Sequence, residues 1–346
     1  MNDIFLKVLR GEEAPYTPVW IMRQAGRYLR EYRQVRESVD FLTLCKTPEL
    51  AAKVTFQPVD ILGVDAAILF SDILIPVEAM GMKLAFSEKH GPSLAEPIRT
   101  RALLERLSVP VPEDDLPFVL ETVKILKSGL KVPLIGFSGA PFTLATYMIE
   151  GGGSKNFLST KRIMYQNHGL FGGLMTKITD TVTAYLRAQI KAGADAVQLF
   201  DTWAGVLSPD DYRAYALPYV KQIIKELKDD GAPIIYFVNG CAGLLKEIKA
   251  SGAGAIGIDW RIDMGDAVKK LGKKFVVQGN LDPCALLLPP EGLRPKVREI
   301  LEKAGPARGH IFNLGHGILP EIPVENAKAL VDIVHELSGK AAGRPE

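Results

Sequence analysis

The stretches "GVDAAILFSD" (63–72), "GADAVQLFD" (193–201) and "GAGAIGID" (252–259) repeat one order of residues: glycine, a small-residue step, an apolar run, then aspartate. Glycine adopts positive φ at no steric cost, which suits the C-cap of a helix. Each copy therefore reads as helix end, short turn, strand, and a polar residue at the strand's carboxyl end. The sequence uses an αβ unit more than once.

Working outward from these copies, eight β-type runs appear: "TPVWIM" (17–22), "AAILF" (66–70), "PLIGF" (133–137), "AVQLF" (196–200), "PIIYFV" (233–238), "AIGID" (255–259), "FVVQG" (275–279) and "HIFNL" (310–314). They are continuously apolar rather than alternating, as parallel strands covered on both faces are. Helical patterning separates them. Between two runs, Ser208 is placed to N-cap a helix with Pro209 at its first position and Asp211 closing a capping box. Pro218 predicts a kink or break in that helix, and Gly231 its end. The stretches 108–117 and 286–295 read as loops, and "EGGGS" (150–154) as a mobile segment. Eight strands alternating with helices predict an α/β fold, a single (β/α)8 TIM barrel with elaborated C-terminal-face loops and one domain over 1–346. An open doubly wound sheet is the alternative that periodicity leaves standing.

The 346 residues carry a net charge of +2, too small an excess to suggest a nucleic-acid partner. Three scattered cysteines, Cys45, Cys241 and Cys284, argue for a reducing compartment. No apolar run approaches the ~20 residues a membrane helix needs, and the N-terminus lacks the pattern of a signal peptide. These features predict a cytoplasmic protein.

In such barrels the active site lies at the carboxyl ends of the strands. Those ends carry Arg23 and Arg27, Asp72, Phe137 followed by Tyr147, Asp201 and Thr202, Asn239, Asp259, Asn280 and His316. The most unusual segment is "WIMRQAGRYLREYRQVR" (20–36), with five arginines against the single acid Glu31. If it were one helix, Arg23, Arg27 and Arg30 would share a face, a spacing unfavourable for like charges. Gly26 would add about 1 kcal/mol of helix cost. Arg30 and Arg33 read as a solvated helix face. Arg23 and Arg27, directly after a strand, read as an anion site, since guanidinium grips carboxylate or phosphate in bidentate fashion. Asp72 is hemmed by Phe70, Ile73 and Leu74. Burial should raise its pKa and nearby arginines should lower it. His316 lies between glycines that would let a ligand approach the backbone.

Two other signals fail. "GAGAIG" (252–257) has the spacing of a dinucleotide fingerprint, but it precedes a strand instead of following one. Cys241 has no histidine or second cysteine at metal-ligand spacing. What remains is a reaction on a polyanion that uses no metal and no cofactor.

"PVWIMRQAGRYLREYR" (18–33) closely resembles the N-terminal signature of the uroporphyrinogen decarboxylase family. "GFSGAPFTLATYMIEGGGS" (136–154) resembles its second signature, and "FSDIL", "LFDTWAG", "QGNLDP" and "NLGHGI" follow in the family's order. The resemblance runs from about residue 4 to residue 337. It implies a single (β/α)8 barrel, a homodimer, and the removal of four acetate carboxyls from uroporphyrinogen III as CO2, without a cofactor. It implies a substrate-binding stretch of Arg23, Gln24, Ala25, Gly26 and Arg27, with Arg23 and Arg27 holding carboxylates and Arg36 as a further basic position. Asp72 matches the aspartate that meets the pyrrole N–H groups, and with Arg23 forms the catalytic pair. Phe137 matches a residue whose backbone lies at the substrate, and Tyr147 and His316 match binding residues. Thr202 stands where many members have serine. The implied partner is the small-molecule substrate, with neither nucleic acid nor membrane involved. A zinc- or corrinoid-linked methyltransferase on a related barrel is the alternative, and it would need a His/Cys cluster at the rim.

Overall fold

The computed structural model describes residues 2–87 and 91–339, so the outermost residues of the 1–346 span lie outside it. Among the described residues nine strands occur in chain order: β1 (Ala67–Ile68), β2 (Leu84–Ser87), β3 (Gly91–Leu94), β4 (Leu134–Gly139), β5 (Ala196–Asp201), β6 (Ile234–Val238), β7 (Ala255–Gly257), β8 (Val276–Gln278) and β9 (Gly309–Ile311). Seven form one parallel sheet in the order β1-β4-β5-β6-β7-β8-β9, and β2 pairs antiparallel with β3. The hairpin was not anticipated. Its short strands include Pro92 and exposed positions and make no apolar run.

Both faces of the sheet are covered. On β6, Ile235 and Phe237 join one apolar core, while Ile234, Tyr236 and Val238 join the other. This is the condition that continuous apolar runs report. The sheet is curled. Trp20 Nε1 donates to Gln278 Oε1, and Gln278 Nε2 donates to Gln198 Oε1, each at 3.0 Å. β5 and β8 are not neighbours, so these side chains meet only because the concave face turns on itself.

Of the eight predicted runs, seven contain strands. The first makes a single isolated bridge, Val19 with Phe312. Its ladder stops because side chains take the next amides: Ile21 N–H donates to Gln24 Oε1 and Met22 N–H to Asn313 Oδ1. The glycine caps match their expectation, with Gly63, Gly193 and Gly252 at φ +73°, +127° and +94°. Ser208 Oγ accepts from Asp211 N–H, and the helix breaks at Ala216 into Pro209–Tyr215 and Leu217–Glu226. It ends before Gly231, and the Asp211 carboxylate bonds Tyr165 instead of closing the box.

Two segments read as loops carry helix. Proline at the first helical position opens Pro112–Asp115, Pro117–Gly129 and Pro290–Ala304 within 108–117 and 286–295. The 150–154 segment bonds to its neighbours at its start. Leu94 N–H donates to Gly151 O at 2.9 Å, and Glu150 Oε1 accepts from the amide and hydroxyl of Thr160.

The loops after β5 and β6 touch so closely that a methyl on Gly205 would lie 2.0 Å from Asn239 O. Backbone against backbone has no soft route to relief. Gly205→Ala is therefore expected to cost about 3 kcal/mol, read as a lowered urea midpoint at an unchanged slope.

Candidate active site

The chain leaves its first run through turns, and the helix begins only at Arg30 (Arg30–Ser38). The shared helix face considered for Arg23, Arg27 and Arg30 therefore does not exist. Arg23 sits at φ +63°, a left-handed conformation that costs a non-glycine residue about 1–3 kcal/mol. Gln24 holds it there. Its fully buried side chain accepts from Ile21 N–H and donates to Ala66 O, both at 3.1 Å, while Gln24 O accepts from the Tyr28 hydroxyl. Gln24, expected among the substrate-binding residues, thus has its side-chain amide turned into the protein as a brace. Ala25 and Gly26 are half-buried, and the amides of Ala25, Gly26 and Arg27 find no acceptor among the described residues. Three N–H donors between two guanidinium groups suit an anion.

Arg23 reaches across to the His316 loop. A methyl on Gly317 would lie 2.3 Å from Arg23 Cδ, and one on Gly315 would lie 2.4 Å from Trp260 N. The glycines flanking His316 thus make room for the protein itself, where sequence reading had a ligand approaching the backbone. Arg23 influences Asp72, Tyr147 and His316 together, so these four residues form one group.

Asp72 follows β1, and its Oδ1 accepts from Leu74 N–H at 2.8 Å. Burial raises its pKa, and the Leu74 amide and Arg23 oppose that rise without cancelling it. Desolvation wins the contest that the sequence left open. Tyr147 is likewise raised, by burial foremost, and remains a hydroxyl. His316 is pushed down to about 4, first by burial and then by the cations of Arg23 and Arg261. At neutral pH it is an uncharged imidazole.

An aromatic arc that sequence reading missed in part leads to His316. Ring centroids run from Phe137 to Phe200 (5.7 Å), Phe200 to Phe237 (6.1 Å), Phe237 to His316 (6.2 Å) and His316 to Trp260 (6.4 Å). Phenylalanine near the end of three successive runs was the available signal. Phe137 contributes its ring. Its backbone, expected at the substrate, is held by Gln189, whose Oε1 accepts from Phe137 N–H and whose Nε2 donates to Phe137 O. Thr202 is half-buried, with no side-chain hydrogen bond among the described residues.

The remaining strand-end residues bond within the protein, and of them Asp259 also acts on His316, against the two arginines. Asp201 faces the helices. It accepts from Thr143 Oγ1 and Tyr236 OH at 2.7 Å each, and burial lifts it to about 6. Asp259 is fully buried and accepts from the amides of Gly240, Cys241 and Arg261. Asn280 donates to Asp259 O and Ile262 O. Arg27 is exposed, and its charge acts on Tyr32. Arg33 caps Arg27 O and Tyr28 O, and Arg30 lies exposed. Arg36 bonds Val39 O and lies 6.0 Å from the Phe41 ring, also acting on Tyr32. Cys241 is buried, and desolvation lifts its thiol to about 12, the reverse of what a thiolate metal ligand needs.

Two substitutions separate Arg23's placement from the fold. Gly317→Ala meets a flexible side chain, so it should displace the guanidinium and lower kcat/KM by about tenfold, with Tm nearly unchanged. Gln24→Ala should leave Ile21 N–H and Ala66 O unsatisfied and cost about 2–4 kcal/mol. Thermal unfolding beside steady-state kinetics distinguishes the two.

A model of the family "Uroporphyrinogen decarboxylase (URO-D)" matches residues 1–337. The uroporphyrinogen decarboxylase of Carboxydothermus hydrogenoformans is 55% identical over 340 residues, covering 98% of this chain and 97% of the relative. That of Geobacter sulfurreducens is 53% identical over 342 residues, covering 98% and 100%. A methyltransferase from Methanosarcina mazei superposes with a TM-score of 0.82 at 23% identity over 97% of this chain and 98% of its own, a likeness of fold alone. Matched over nearly its whole length by the family's model and by relatives more than half identical, the chain belongs to the uroporphyrinogen decarboxylase family.

Proposed function

We propose that the chain removes the four acetate carboxyls of uroporphyrinogen III as CO2, giving coproporphyrinogen III. The observation that carries this reading is the family match over residues 1–337, and it is supported by Asp72, whose pKa burial raises against the pull of Arg23. Each turn needs a proton on a pyrrole carbon, a cationic azafulvene-like ring to take the electrons left as CO2 departs, and a proton on the methylene that becomes methyl. The ring carbon then releases its proton and the pyrrole is restored, so that, net, one proton replaces one CO2. A carboxylate poorly solvated before substrate arrives is preorganised for that cation and for the pyrrole N–H groups. Arg23 and Arg27, with the free amides between them, answer the substrate's carboxylates. Among the ionisable groups around Asp72, His316 is neutral and Tyr147 is a weaker acid than usual, so neither supplies the proton readily near neutrality. Thr202 offers its hydroxyl and Phe137 its ring, while Arg36, in the helix Arg30–Ser38, is a further basic position for a substrate carboxylate.

The same reading takes the curled sheet as a closed eight-fold barrel in one domain, with the first run as its eighth position. Asp65 N–H donates to Val19 O on one side, and Phe312 N–H donates to Pro18 O on the other. It takes the enzyme as a cytoplasmic homodimer that acts without a cofactor, with neither nucleic acid nor membrane as partner. No helix among the described residues is long and apolar enough to cross a membrane. Among the described residues no three His, Cys, Asp or Glu side chains gather as a metal-ligand set, which favours decarboxylation over the methyltransferase reading.

The test is anaerobic incubation of chelator-treated protein with uroporphyrinogen III, followed by oxidation and separation of porphyrins by carboxyl number. Products with seven to four carboxyls support the reading, and unchanged substrate overturns it. Asp72→Asn keeps the acceptor for Leu74 N–H and should lower kcat about 100-fold or more. An acid whose pKa is raised on folding contributes stability at low pH that is lost as pH climbs through the folded value. Asp72→Asn should therefore raise Tm at pH 8 and leave it nearly unaltered at pH 4.

A further inference from the structure

We propose that Arg261 is a third guanidinium clamp of this mouth, holding a carboxylate arm of the porphyrinogen on the His316 side. The assignment rests on the decarboxylase reading and concerns a residue outside the signatures that led to it. Arg261 follows β7. Its guanidinium lies 4.0 Å from the Trp260 ring, and Trp260 in turn faces His316 at 6.4 Å. Nη1 donates to Asn239 Oδ1 at 2.8 Å, which fixes the direction of the head group. A long, flexible side chain is thus held by an aromatic face and an amide at the end of β6, yet the side chain stays 48% exposed.

Its ion pairing leaves the charge available. Asp259 is the acid near it, at 3.7 Å, beyond hydrogen-bond range. That carboxylate is fully buried and already accepts three backbone amides, so its commitment is to the loops. The other guanidinium donors of Arg261 have no acceptor among the described residues. A stacked, oriented guanidinium with free N–H groups suits bidentate capture of a carboxylate. The cation also bears on His316, so its field reaches into the mouth.

The position separates its role from that of Arg23. Arg23 acts on Asp72, Tyr147 and His316, whereas the influence of Arg261 falls on His316 alone of the three. Stacked on Trp260, bonded to Asn239 and half-exposed, Arg261 is placed to grip a carboxylate arm at the periphery of the macrocycle, away from the bond that breaks. Such an interaction sets KM and leaves kcat alone.

The experiment compares wild type, Arg261→Ala, Arg261→Gln and Arg261→Lys in the anaerobic porphyrinogen assay, with histidine titration by NMR. Five histidines in the chain make assignment of His316 practicable. Arg261→Ala is expected to raise KM about tenfold with kcat within about twofold of wild type. Arg261→Lys should recover part of the loss, and His316 should titrate at higher pH in the alanine variant. If alanine at this site prevents folding, Arg261→Gln, which keeps a donor for Asn239, gives the same readout. An unchanged KM in a folded variant, or a fall in kcat alone, overturns the assignment while leaving the decarboxylase reading intact. Wild-type protein that fails to turn over uroporphyrinogen overturns both.

Discussion

A carboxylate kept poorly solvated next to a guanidinium is the constraint around which this mouth is built. Burial raises the pKa of Asp72 even though Arg23 pulls it down. The balance between the two holds only while Arg23 stays where it is and water stays out. The first condition falls to Gln24, Asn313 and Gly317. Gln24 and Asn313 bind the amides before Arg23, and Gly317 leaves the space through which its side chain passes. The second falls to the buried chain on either side of Asp72, where Phe70 and Leu74 are enclosed. The left-handed conformation of Arg23 is a local strain that these contacts offset, as strained residues at functional sites require.

The same desolvation acts on three groups and produces three different chemistries. An acid, a phenol and an imidazole are each pushed toward their neutral forms. For Tyr147 and His316 this fixes hydrogen-bonding groups that keep one state across ordinary pH. For Asp72 it stores a preference that a bound cation reverses. Positive charge in this site is carried by arginine side chains, Arg23 and Arg261, which reach the surface.

Polar residues at the ends of strands divide into two populations. Asp72 and His316 belong to the mouth. Asp201, Asp259 and Asn280 tie loops and helices together, with every partner inside the protein. Asp201 shows how one strand makes the division. Side chains alternate along β5, so Asp201 shares the helix-facing side with Leu199, whereas Phe200 joins the concave arc. The residue next in sequence to a site can face away from it.

Sequence alone determined the repeated αβ unit, the parallel sheet and the glycine caps, because apolar period and positive φ are local properties that few residues satisfy. It also singled out Arg23, Asp72, Tyr147 and His316 through strand ends and the family's signatures. It did not distinguish Gln24 as a brace from Arg23 as a ligand group, since both lie in one turn and only the buried contact with Ala66 separates them. Nor did it reveal why Gly315 and Gly317 flank His316, which depends on Trp260 and Arg23 arriving from distant segments. Arg261 was invisible for the same reason: its stacking partner is adjacent in sequence, but the mouth it faces is assembled from strands β4 to β9. Tertiary structure decided the direction of Asp72's pKa. Desolvation depends on all the atoms around a carboxyl, and no stretch of sequence contains them.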